Sequence, residues 1–322
     1  MAGAGGLVME FDLGGETPRG RAPDLKKRAQ AEALKKELAG RVRGSLLKLK
    51  DRDTQQQALL EMQKVCEELK PDHVEIVHKA LFSFDGEKSI FARAQSARLF
   101  ADVAKSQFDV RSLSKVVSKL CDRARDNDGK VREACAETVG ELARIFCSSV
   151  DAVQPQTRLE DTQDLDSSVA VESGPSLNIF LTPILKAMES GDTNGQIGSA
   201  LALAHVVFNS ATHIPPYLEK LTLRILAIMD RPTFLGRAEL LIAIANIVEV
   251  CPDGFTPYFE LYFPRIQASS KDQDFKVRKS AMEIIETLAC RIDPSILFEF
   301  KVGRISRSCL VSLISLHKHS RI

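Results

Sequence analysis

Small and large apolar residues recur along this chain with a helical rhythm. A small residue is followed four positions later by an apolar one and three later by another, the spacing that stacks side chains on one helix face. The triplet appears as Ala58/Met62/Val65, Ser96/Phe100/Val103, Cys135/Val139/Leu142, Ala200/Ala204/Val207, Ala238/Ile242/Ala245 and Ala281/Ile285/Leu288. Successive triplets are 38, 39, 65, 38 and 43 residues apart. The long step is one ordinary period of about 39 plus an insertion of about 26 residues. No stretch shows sustained period-two alternation with β-branched enrichment, so helices are expected throughout the folded part.

A period near 40 with two helices per unit is the HEAT pattern. Two copies of its signature stand out: DNDGKVREACAETVGELA from Asp126 and DQDFKVRKSAMEIIETLA from Asp272. Weaker copies start at Ser89 and Asp51. In each strong copy an Asp-rich turn ends one helix and caps the next, because a short carboxylate accepts from free backbone N–H groups there. The first helices of the hairpins are predicted at 24–49, 72–84, 109–125, 176–189, 214–229 and 256–269. Pro71, Pro175, Pro215 and Pro257 lie near their starts, where a missing N–H costs nothing. Neither helix of a hairpin can bury its apolar stripe alone, so the hairpins must stack. The expected fold is an all-α HEAT/armadillo-type superhelical solenoid of about six hairpins.

The expected organisation is a disordered, Gly-rich N-terminus (1–22), repeats one to three (23–147) and an acidic mobile insertion (148–175). Repeats four to six and the start of a seventh follow (176–300), then an atypical tail (301–322) without an Asp-turn or a Val-Arg second helix. Near Lys301 the chain is expected to depart from the family that its repeats follow.

Composition narrows the function. Basic and acidic residues number 44 and 43, so wholesale nucleic-acid binding is not indicated. The charge is unevenly spread: ten Lys or Arg against three acids from Arg21 to Lys50, and an acidic stretch from Asp151 to Glu172 with Arg158 its only base. The seven cysteines are scattered without a C-x-x-C pair, as in a reducing compartment. Leu240–Val250 is too short to span a membrane, and the N-terminus reads neither as a signal peptide nor, with Ala2, as a myristoylation site. A soluble intracellular protein is expected. No phosphate loop, dinucleotide fingerprint or G-x-S-x-G setting is present. His73 and His78 are five apart with no completing ligand, His205 sits in an apolar run as a packed core histidine, and His317 and His319 lie in the tail. No enzyme, cofactor, metal site, membrane or small-molecule substrate is expected.

Stacked hairpins align the turn between the two helices of every repeat along one ridge. The turns are LKDRDT (49–54), FDGEKS (84–89), RDNDGK (125–130), SGDTNG (190–195), MDRPTFLG (229–236) and SSKDQDFK (269–276). Each carries Asp, Gly or both, as turns should. Lys50, Arg52, Lys88, Lys130, Arg231, Lys271 and Lys276 fall in them, with Arg237 just after the fifth; the fourth has no base. A lone turn lysine is ordinarily a solvated side chain; a shared ridge of them is a candidate surface for an acidic partner. Arg132 and Arg278, in contrast, are expected to pair with the Asp of a neighbouring repeat.

The stretches LKDRDTQQQALLEM (49–62), DNDGKVREACAETVGELA (126–143), PTFLGRAELLIAIANIVEV (232–250) and DQDFKVRKSAMEIIETLA (272–289) resemble the N-terminal domain of the TORTIFOLIA/SPIRAL-type plant microtubule-associated proteins. The resemblance covers about residues 35 to 300. It implies a TOG-like HEAT array that binds tubulin or microtubules, in the cytoplasm at cortical arrays, and influences their organisation and directional growth. Many TOG domains carry a Trp in the first intra-repeat turn; this chain has no Trp, so that contact does not carry over. The competing expectation is a generic HEAT scaffold or transport adaptor, which would lack basic turns and use its concave groove. Nucleic-acid binding would draw on the basic helix from Lys26 to Lys50, against which the neutral total and the lack of stacking aromatics argue.

Overall fold

The computed structural model describes residues 22–84, 88–153 and 176–292. Within them every regular element is helical. The first-helix layer comprises α1 (Ala22–Lys48), α3 (Val74–Phe82), α5 (Val110–Arg123), α7 (Asn178–Met188), α9 (Leu218–Met229) and α12 (Phe259–Ser269). The second-helix layer comprises α2 (Gln55–Glu67), α4 (Ile90–Ser106), α6 (Gly129–Val153), α8 (Thr193–Asn209), α10 (Arg237–Val250) and α13 (Phe275–Arg291). A four-residue turn of helix, α11 (Pro252–Phe255), leads into α12. The first helices match the sequence expectation to within a few residues. Pro71, Pro215 and Pro257 sit in single 3-10 turns that open α3, α9 and α12.

Second helices pack on one another in series, α4 on α6, α6 on α8, α8 on α10 and α10 on α13, and first helices pack against them as a second layer. One apolar core runs without a break from Val42 to Ile292. Small residues permit the close spacing. A methyl added at Gly140 would come within 2.6 Å of His205 Cβ, so α6 and α8 meet there almost backbone to backbone. Gly198 similarly lets the start of α8 rest on the Ala124 carbonyl at the end of α5.

The Asp-turn expectation holds. Asp192 accepts from Gly195 N, Asp274 from Lys276 N, and Asp128 from Lys130 N at 2.8 Å, each capping a second helix. Ser89 does the same for α4.

Four expectations change. First, α6 does not stop before Ser148 but continues to Val153. Val150 packs against the core, and Asp151 Oδ1 lies 3.1 Å from His213 Nε2, so the added turn has tertiary partners. The rest of the expected insertion, the expected disordered N-terminus before Ala22, the seventh-hairpin start and the tail lie outside the described residues. Second, the helical phase is shifted in the middle repeats. Counted from the turn, the residues equivalent to Cys135/Val139/Leu142 are Ser199/Leu203/Val206 and Leu240/Ile244/Ile247, all buried; Ala200, Ala204 and Val207 are buried as expected but one residue on, whereas Ile242 and Ala245 are only partly covered. Both α8 and α10 are apolar nearly all round because neighbours flank them, and a uniformly apolar helix gives periodicity no phase to lock on. Third, His205 is half-buried between α6 and α8 rather than a core residue, and partial desolvation lowers its pKa. Among the described histidines His78 is the buried one, against Phe82 and Phe100. The fourth change concerns Arg132 and Arg278, at the turns.

Candidate functional site

Among the described residues, side-chain ties link successive repeats along the intra-repeat turns from the start of α4 to turn six. One position near the start of each second helix recurs: Gln55, Arg93, Arg132, Gln196, Arg237 and Arg278. Gln55 donates to Leu49 O, Gln196 to Ser190 O, Arg132 to Asp126 O and Arg278 to Asp272 O, each six residues back in its own turn. Four of the six positions also reach forward to the next turn. The Arg93 guanidinium donates twice to the Asp126 carboxylate, at 2.7 and 3.1 Å. Arg132 meets Asn194 at 3.3 Å, Gln196 Oε1 accepts from Leu235 N, and Arg237 meets Asp272 at 3.3 Å. Arg132 and Arg278 therefore serve backbone carbonyls of their own turns, not a neighbour's Asp. A guanidinium has five donors and can satisfy the carbonyls a tight turn leaves open.

First helices add a second row of ties running backwards. Arg123 donates to Leu81 O, Arg224 pairs with Glu189, and Arg265 grips Asp230 with two bonds of 2.6 and 2.7 Å. That grip holds the Asp230 carboxyl below the usual carboxylate range. Glu239, at the start of α10, is pushed up by burial. Grooves of about 330 and 310 Å³ open between repeats two and three and between five and six, and the same tie residues line them, Arg93, Arg123 and Asp126 in one, Arg237, Arg265 and Asp272 in the other. Among the described residues no three His, Cys, Asp or Glu side chains converge on a metal position. No described helix is long and apolar enough to cross a membrane.

Against this background the seven cations singled out from the sequence stand apart. Lys50, Arg52, Lys88, Lys130, Arg231, Lys271 and Lys276 are all exposed, and all lie in the turns or at the first residues of second helices. Arg52, Lys88, Lys130, Arg231, Lys271 and Lys276 form no ion pair among the described residues. Lys50 differs: its ammonium lies over the Phe84 ring, 5.9 Å from the centroid, and so bridges turns one and two. In chain order the cations form two groups, turns one to three and turns five and six. Turn four supplies none, but the stem of Arg125 from turn three lies against Gly195, 3.1 Å from where a Cβ would sit. Arg125 was visible in the sequence as a turn residue, yet only packing shows that it reaches the next turn.

The ridge also carries apolar side chains that reading the turns for charge passes over. Leu235 in turn five is 58% exposed and Phe275, which opens α13, is 68% exposed. Ile90 at the start of α4 is less so.

Among solved structures, the chain is similar to the crystal structure of Kap121p, with a TM-score of 0.53 and 14% identity over 92% of this chain and 28% of that one. At that identity the likeness shows the superhelical solenoid fold alone. Among curated sequences it is 25% identical over 256 residues to the Arabidopsis thaliana microtubule-associated protein TORTIFOLIA1, covering 79% of this chain and 28% of the relative. It is 28% identical over 220 residues to TORTIFOLIA1-like protein 1 of the same plant, covering 66% and 25%. The chain thus spans about a quarter of the length of these relatives. A TORTIFOLIA1 N-terminal profile matches residues 36–313, from within α1 through the sixth repeat and past Lys301, so the departure from the family expected near Lys301 does not occur there. On that match the chain belongs to the TORTIFOLIA1 N-terminal family.

Proposed function

We propose that this chain is a non-enzymatic microtubule- or tubulin-binding module of the cytoplasmic cytoskeleton, acting in cortical microtubule organisation and directional growth, and that it binds through its ridge of turns. One observation carries the ridge: the arginines that join repeats are consumed by carboxylates and carbonyls, while six of the seven turn cations have no ion-pair partner among the described residues. Solvated cations in one row gain long-range attraction to an acidic surface and accelerate association. The name of the Arabidopsis relative, a microtubule-associated protein, supports the choice of partner.

Each exposed pair adds little, so no single lysine should dominate. Reversing Lys50, Arg52, Lys88 and Lys130 to Glu together removes four attractions and adds four repulsions. The expected loss of affinity in microtubule co-sedimentation is about 30- to 1,000-fold. Wild-type binding should weaken steeply as salt shortens the Debye length below about 8 Å. Unchanged binding by the fourfold variant, with wild-type affinity that survives high salt, would refute the ridge and favour a scaffold that uses its helical faces.

A further inference from the structure

Phe275 is the most exposed large apolar side chain among the described residues, and its position is not an accident of a loose segment. Asp274 caps α13, which places Phe275 first in the helix and aims it out of the stack, while Val277 two residues later is buried. The Arg278 guanidinium lies 5.8 Å from the ring centroid, held from behind by Asp272 O and Gln273 O. Leu235 is the exposed apolar residue of the preceding turn, its backbone N–H pinned by Gln196. The Arg237–Asp272 pair ties these two turns together. Arg231, Lys271 and Lys276 lie in the same two turns or at the helix start that follows, exposed and without ion pairs among the described residues.

We propose that Leu235 and Phe275 form an apolar anchor, rimmed by Arg231, Lys271 and Lys276, through which the chain seats on an acidic protein surface. On the functional reading above, that surface is tubulin. The chemistry is that of an interface hot spot. A rigid aromatic supplies buried area at small entropic cost, and a charged rim steers the approach and excludes water once docked. The flanking charge decides the partner: three cations around an apolar centre favour a complementary acidic surface and repel a basic one. Division of labour along the ridge follows. The first three turns contribute mainly charge, with Ile90 their smaller apolar side chain, which gives rate and salt dependence; turns five and six add the larger short-range contact that sets residence time.

The test uses the full chain in microtubule co-sedimentation across a salt series. Leu235→Ala/Phe275→Ala should lose about ten- to thirtyfold in affinity, with the slope of log affinity against log salt unchanged. Phe275→Leu, which keeps an apolar side chain, should retain more of the affinity than Phe275→Ala. Arg231→Glu/Lys271→Glu/Lys276→Glu should lower affinity and also flatten the slope. Both sites are exposed, so circular-dichroism melting should match wild type. If the Leu235/Phe275 double variant binds like wild type while the fourfold reversal at Lys50, Arg52, Lys88 and Lys130 does not, the anchor is wrong and the ridge stands. If wild type binds neither microtubules nor tubulin dimers at low salt, both fall.

Discussion

Gly198→Ala sets helix propensity and tertiary packing against each other, and the structure decides the sign. In an isolated helix, replacing an interior Gly by Ala stabilises by about 0.8–1 kcal/mol. At position 198 the new methyl would fall on the Ala124 carbonyl oxygen, 2.9 Å from Ala124 Cβ and 3.0 Å from its carbonyl carbon. Carbon atoms prefer about 3.5–4.0 Å, so α8 and the end of α5 would have to separate by on the order of 1 Å. None of these contacts is the far end of a flexible side chain; two are backbone atoms and the third a Cβ fixed to them. The cost belongs at the upper end of overpacking penalties, about 3 kcal/mol. Less the propensity gain, Gly198→Ala should destabilise by about 2 kcal/mol. Gly40 in α1 is the control, with nothing within 4 Å of its virtual Cβ. Gly40→Ala should therefore stabilise by about 0.5–1 kcal/mol. The pair is compared by thermal and urea unfolding monitored by circular dichroism. The separation would also displace turn four from turn three, so microtubule binding of folded Gly198→Ala should fall modestly. A Gly198→Ala protein as stable as wild type or more so would refute the close approach.

Two further outcomes follow from the ties and from the buried imidazole. Arg93→Gln and Asp126→Asn form a double-mutant cycle across turns two and three; both side chains are about one-fifth exposed or less, so a coupling of about 1–2 kcal/mol is expected, between surface and buried limits. A coupling near zero would show that the pair does not hold the turns together. Burial lowers the His78 pKa from 6.5 to about 4, so the unfolded chain takes up a proton first as pH falls. This group favours folding fully above pH 6.5, and that contribution is lost progressively between pH 6.5 and about 4. His78→Leu should therefore lose less stability than wild type across that window, by about 2–3 kcal/mol, read as a difference of urea midpoints at the two ends. Parallel pH profiles would contradict it.

The repeat period, the hairpin count and the turn positions were legible from sequence because they rest on local chemistry. A cap needs a short carboxylate, a turn needs Asp or Gly, and an amphipathic helix shows its face by spacing. That chemistry located Asp128, Asp192 and Asp274 and placed all seven turn cations on exposed positions. Helical phase in α8 and α10 was not legible, since helices flanked by neighbours are apolar on nearly every side. The partners of Arg132 and Arg278 were not legible either, because a guanidinium beside a turn can serve a carboxylate next door or the carbonyls beneath it, and only backbone geometry selects. Nor could spacing tell that Arg125 reaches turn four, which depends on how one repeat is rotated on the next. The sequence by itself determined a stack of hairpins with basic turns; the rotation between repeats, set by contacts such as Gly198 on Ala124 and Arg93 on Asp126, decided which side chains are consumed in holding the ridge together and which remain at its surface.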